Sequence, residues 1–139
     1  MCILHPAVHL TVLLLGLPLL LQSNVIPDEL QGRWEGVRSA VRDTVREFKP
    51  GEVGMTFGDG KLLATGILSP TEVQLSFRIN DHVTPKQLDY WLKSDLVTPA
   101  IYEVKGRVLT IVVPRTGRIR PTSFLADSTS TIVLTFQKQ

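Results

Sequence analysis

The sequence predicts an all-β fold: an eight-stranded antiparallel up-and-down barrel with a short N-terminal helical turn, preceded by a hydrophobic leader helix. Three observations predict it. Apolar and polar side chains alternate with a period of two through most of the chain after residue 28, as in strands buried on one face. Turn residues punctuate these runs at short intervals, and no helical periodicity follows the leader. The segment Ala100–Val113 reads as a complete hairpin, whose Lys105-Gly106 turn places a glycine where a tight turn demands positive φ.

The 139 residues have room for one domain, expected over 28–139. No charged side chain precedes Asp28, and Leu10–Leu21 reads LTVLLLGLPLLL. An apolar run of about 7–15 residues near the start fits a secretory leader and is short for a transmembrane helix. Residues 1–24 are therefore expected to be a signal peptide that exports the domain to the periplasm or the extracellular space. The alternative is an uncleaved anchor over residues 7–26, which would be the chain's one membrane contact. Cys2, the single cysteine, lies in this leader, so the domain has no disulfide and no thiol nucleophile. A domain of about 115 residues can build a core large enough to do without staples. The net charge of +2 argues against nucleic acid as a partner.

Along the domain, Pro27–Gly32 reads as a short helical turn, with Asp28 at its start and Gly32 at its end. Trp34–Arg42 is the first strand, with a polar and apolar mixture that suggests a bulge. Phe48–Gly51 is a turn. Val53, Met55 and Phe57 alternate in the second strand, and Gly58-Asp59-Gly60 leads into Lys61–Leu68. Glu72–Asn80 sends Val73, Leu75, Phe77 and Ile79 to one face. Leu88, Tyr90 and Leu92 then alternate with Gln87, Asp89 and Trp91.

In the hairpin, Tyr102 is expected opposite Leu109 and Ala100 opposite Ile111. Thr131–Lys138 closes the count at eight strands. Closure removes the sheet's edges; an immunoglobulin-like sandwich is the alternative architecture.

Gly32-x-Trp34 at the start of the first strand looks like the G-x-W signature of the calycins, which include the lipocalins. Four ordered blocks extend the likeness: Leu30-Gln31-Gly32-x-Trp34, Pro85-Lys86-x-Leu88-Asp89, Ile101-Tyr102-Glu103-Val104-x-Gly106-x-x-Leu109 and Arg120-Pro121-Thr122-x-Phe124. Together they resemble an uncharacterised lipocalin-like domain family expanded in planctomycete bacteria. The resemblance spans nearly all of residues 28–138, implies a small barrel and implies no activity.

The barrel interior is the first candidate site, lined by Leu75, Phe77, Tyr90, Tyr102, Leu109, Ile111, Leu134 and Phe136, where a small hydrophobic ligand would sit. These residues are large, so a nearly filled barrel is expected. The calycin likeness implies that Trp34 forms the barrel floor under a cation from the last strand, and Lys138, which shares the parity of Ile132, Leu134 and Phe136, can supply that cation–π partner; the structural plug outweighs the ligand floor. Arg115, Arg118 and Arg120 lie within one loop and form a candidate anion site. Against it stands a solvated loop held in shape by Arg120 and a local carboxylate.

His82 is the one histidine beyond the leader, too few for an imidazole metal cluster, and an exposed turn residue by position. Asp89 and Glu103, the candidate carboxylate pair, fall on the outer face. No metal or cofactor is expected, and the domain is expected to be a non-catalytic monomer that binds a small ligand or serves in the envelope. The rivals are an enzyme using Arg120, Tyr102 and a carboxylate at the barrel mouth, and a purely structural envelope domain. Trp91 is expected outward, as a contact for sugar, protein or membrane or tucked beneath the Lys93–Pro99 loop.

Overall fold

The computed structural model describes residues 25–139, so the leader and its cleavage lie outside the described residues. After a 3-10 turn over Asp28–Leu30 come nine strand segments: β1 (Gly32–Val41), β2 (Thr44–Glu47), β3 (Gly54–Gly58), β4 (Lys61–Thr65), β5 (Val73–Asn80), β6 (Lys86–Trp91), β7 (Thr98–Lys105), β8 (Val108–Pro114) and β9 (Thr131–Lys138). All neighbours are antiparallel, and β9 returns to pair with β1, so the sheet closes on itself. The alternating pattern thus resolves into an up-and-down barrel, and the sandwich is excluded.

Nine segments fill eight positions because β2 and β3 both lie beside β1. Arg38–Val41 of β1 pairs with β2, and Gly32–Glu35 pairs with β3. β2 is an addition to the sequence expectation. All four of its residues are exposed, so no buried alternation marks it. It forms because the chain reverses tightly at Arg42-Asp43 and satisfies its backbone against β1. The expected bulge in β1 lies between Gly36 and Arg38. There Val53 crowds the strand: the Gly36 N–H donates to the Val53 carbonyl at 2.7 Å, leaving no space for a side chain at position 36.

β1 runs over Gly32–Val41 rather than Trp34–Arg42, and two further details differ from expectation. The fourth strand segment stops at Thr65 rather than Leu68, because Gly66 adopts a positive φ and donates its N–H to the Ser69 carbonyl. In the hairpin, Lys105 pairs with Val108 and Tyr102 with Ile111, so the turn is Gly106-Arg107. Gly106 has φ +61° in the first turn position, as a type II′ turn requires. The register is two residues from the expected one. A two-residue slip returns each side chain to the same face, so the inward set is unchanged.

The core is one buried cluster along the barrel axis, from Ile26, Leu30 and Trp34 at the lower end to Val53, Ala64 and Val113 higher up. A second, smaller cluster lies outside the wall. Ile101, Val112 and Val133 face outward from β7, β8 and β9 and are covered by Phe124 and Ala126 of the long β8–β9 connection. The outer face is therefore dry there, where a wet face was expected. Among the described residues no helix is long and apolar enough to cross a membrane.

Candidate functional site

The lower end of the barrel is plugged. Trp34 is buried and donates its indole N–H to the Leu30 carbonyl at 2.9 Å, which fastens the 3-10 turn beneath the core. The Lys138 ammonium stands 5.4 Å from the Trp34 ring centroid. Gly32 explains the spacing of the Gly-x-Trp motif: its φ is +115°, and a side chain there would press on Lys138 Cε at 3.1 Å. Beside the plug, Lys86 and Glu29 form an ion pair at 2.6 Å.

The residues expected in the interior fall into two groups. Leu75, Phe77, Tyr90, Tyr102, Leu109, Ile111 and Phe136 are buried and pack with Met55 and Phe57 in the continuous core. Burial pushes the Tyr90 phenol up to about 12 and the Tyr102 phenol higher still, the latter aided by the negative charges of Glu29 and Asp81. The Tyr102 hydroxyl is buried without a hydrogen-bond partner. Leu134 behaves differently: it is half-buried and belongs to the open upper end.

That upper end holds a groove of about 730 Å³. Phe48, Ile67, Ile132 and Leu134 supply its apolar base, and Ser39, Arg46 and Glu52 its polar side. Strand register brings these together: Ser39 is paired with Arg46 across β2 and with Leu134 across β9. Arg46 forms an ion pair with Glu52 and lays its guanidinium 5.3 Å from the Phe48 ring centroid. The Lys49 N–H and then Arg46 hold the Glu52 carboxyl below the ordinary carboxylate range. The mouth is thus amphipathic, greasy at its base and ion-paired at its rim.

The three loop arginines diverge. Arg115 donates to the Thr129 carbonyl at 3.4 Å, Arg118 to Val97 at 2.8 Å and Arg120 to Ala100 at 2.9 Å. Arg120 also pairs with Asp89 at 2.7 Å, the local carboxylate that holds the loop. Arg120 and Asp89 therefore sit on the outer wall, while Tyr102 is inside near the lower end, so no mouth constellation unites them. Glu103 lies outside beside Lys105 at 3.1 Å. His82 is a turn residue with its side chain 93% exposed, 3.5 Å from Asp81. Among the described residues no group of three His, Cys, Asp or Glu side chains is placed to hold a metal ion.

The mouth groove escaped the sequence reading because four separate segments build it. Its one signal was Phe48, an aromatic residue in a turn otherwise made of Lys, Pro and Gly.

A closed antiparallel barrel of eight positions, plugged below and open above, is compatible with a lipocalin-like fold. Comparison with protein-family models, curated proteins and solved structures gave no match.

Proposed function

We propose that the chain is an exported, monomeric, non-catalytic lipocalin-like barrel that holds a small apolar ligand with a polar end at its mouth. The observation that carries this reading is the mouth groove, with Phe48, Ile67 and Leu134 below the Arg46–Glu52 pair. The four sequence blocks that resemble the planctomycete lipocalin-like family support the same architecture and add no chemistry. Burying about 300 Å² of ligand surface is worth roughly 7 kcal/mol. Association costs of several kcal/mol offset much of that, so micromolar or weaker binding is expected.

The test is native mass spectrometry of the full chain after incubation with a mixture of fatty acids and isoprenoids. One retained lipid per chain is expected, lost in Leu134→Arg and kept in Leu96→Ala, a change outside the groove. Retention of no lipid would reject the carrier. A structural envelope role is the second reading, favoured by the continuous packing of the interior.

A further inference from the structure

The outer wall has a concavity of its own, which shares no residue with the mouth groove. The ladder between β4 and β5 covers only Leu62–Ala64 and Val73–Leu75. Below Leu75 the two strands part, and the step between Gly60–Lys61 and Ser76–Arg78 leaves a depression of about 380 Å³. Lys61, Gln74, Ser76, Arg78 and Trp91 line it. Trp91 lies directly across from Ser76, on the outward face of β6, and is half-buried. Arg78 steadies the indole from one side, with its guanidinium carbon 5.3 Å from the ring centroid. Arg78 reaches Asp89 only at 3.4 Å, whereas Asp89 holds Arg120 at 2.7 Å. The Arg78 side chain accordingly stays 65% exposed, with donors to spare. No carboxylate lines the depression.

A partly exposed, fixed indole beside an amide, a hydroxyl and an ammonium group suits a ligand with one apolar face and a ring of hydroxyls. A sugar has that shape. Two cations, of which Arg78 meets a carboxylate only at 3.4 Å and one already held by Arg120, favour an acidic group on it, since Arg and Lys bind carboxylate or sulfate through charge-assisted hydrogen bonds. We infer that this depression binds a short anionic saccharide, with one sugar ring against Trp91 and its acidic group on Lys61 and Arg78.

The full chain is titrated with trigalacturonate and with a sulfated galactose trisaccharide, read by tryptophan fluorescence and calorimetry. Saturable binding of at least one is expected, and the tighter of the two identifies the acidic group. Maltotriose, the neutral control, should bind about tenfold more weakly or worse. Trp91→Ala should weaken the acidic probe by about tenfold or more, and Trp91→Phe should abolish the spectral change because Trp34 is buried. Lys61→Glu, at an exposed position that leaves the core untouched, should remove the preference for acid over neutral sugar. Failure of both acidic probes to saturate would overturn the inference, as would unchanged affinity in Trp91→Ala and Lys61→Glu. Inorganic sulfate competing as well as the trisaccharide would also overturn it, by reducing the site to a simple ion contact.

Discussion

The ammonium of Lys138, the last residue of β9, lies 5.4 Å from the indole centroid of Trp34 near the start of β1. The contact bridges the seam at which the barrel closes. Lys138→Ala should lower stability by about 0.5–2 kcal/mol, the range of a cation–π contact. Trp34→Ala also empties a fully buried site and should cost about 3–5 kcal/mol. Urea unfolding followed by far-UV circular dichroism measures both, and Lys138→Arg should retain most of the stability.

Gly36 is a tight point in the wall. A Cβ built there meets Val53 Cβ at 2.7 Å and the Val53 carbonyl oxygen at 3.0 Å. Gly36→Ala should therefore destabilise by about 1–3 kcal/mol through overpacking. Trimming the opposing side chain in Gly36→Ala/Val53→Ala removes the Cγ1 contact at 2.9 Å but leaves the Val53 Cβ and carbonyl in place, so only a small rescue is expected in a double-mutant cycle.

Asp89 and Arg120 fasten the β8–β9 connection to the outer wall. Their side chains are 16% and 28% exposed, so the pair is largely but not fully withdrawn from water. Asp89→Ala should cost about 1–3 kcal/mol, because it leaves the largely withdrawn Arg120 guanidinium without its counter-charge. The Asp89/Arg120 cycle should give a coupling energy of about 0.5–3 kcal/mol. Coupling indistinguishable from zero would show that the Ala100 carbonyl alone holds the loop.

Two buried phenols set an alkaline limit. Tyr90 and Tyr102 both ionise at higher pH in the folded chain than in the unfolded one. Above the ordinary phenol value the unfolded state loses these protons first, so stability falls as pH rises through the window from about 10 to 12. Each phenol contributes a slope of at most about 1.4 kcal/mol per pH unit there, and contributes no pH dependence below it. Urea midpoints should be level with respect to these groups up to pH 9 and then drop, with a shallower drop in Tyr90→Phe and in Tyr102→Phe.

Tyr102→Phe should differ from Tyr90→Phe at neutral pH. The Tyr102 hydroxyl is buried and unpartnered, so deleting it removes a desolvation cost. A gain of up to about 1 kcal/mol is expected, measured by the same urea series at pH 7. A clear loss would mean that the hydroxyl holds an internal water.

The wall was legible in the sequence wherever one face is apolar and the other polar. In Val73–Asn80 the outward neighbours Gln74, Ser76 and Arg78 leave no doubt about which side faces the core. The hairpin shows how tolerant that signal is, because a two-residue error in register still sends Tyr102, Leu109 and Ile111 inward. β2 was illegible because its four residues are all exposed, so no alternation of buried and exposed side chains marks it.

The covered outer face had a visible signature. Ala100–Tyr102, Ile111–Val113 and Ile132–Leu134 are apolar at both parities, which a strand with a wet side does not need. The candidate sites were harder to read. Proximity in sequence suggested that Arg115, Arg118 and Arg120 converge, but the loop backbone turns each toward a different carbonyl. Trp91 was placed outward by alternation alone; its depression depends on how early the β4–β5 ladder stops, which alternation does not encode.

Ile26 is only 7% exposed and packs with the core, and the Gln31 side chain donates to its carbonyl at 3.2 Å. A peptidase that trimmed the chain past this residue would pull a stopper from the base of the cylinder. Processing compatible with a sound barrel must therefore cut on the N-terminal side of Ile26, and an affinity tag fused directly to it would compete with its seating.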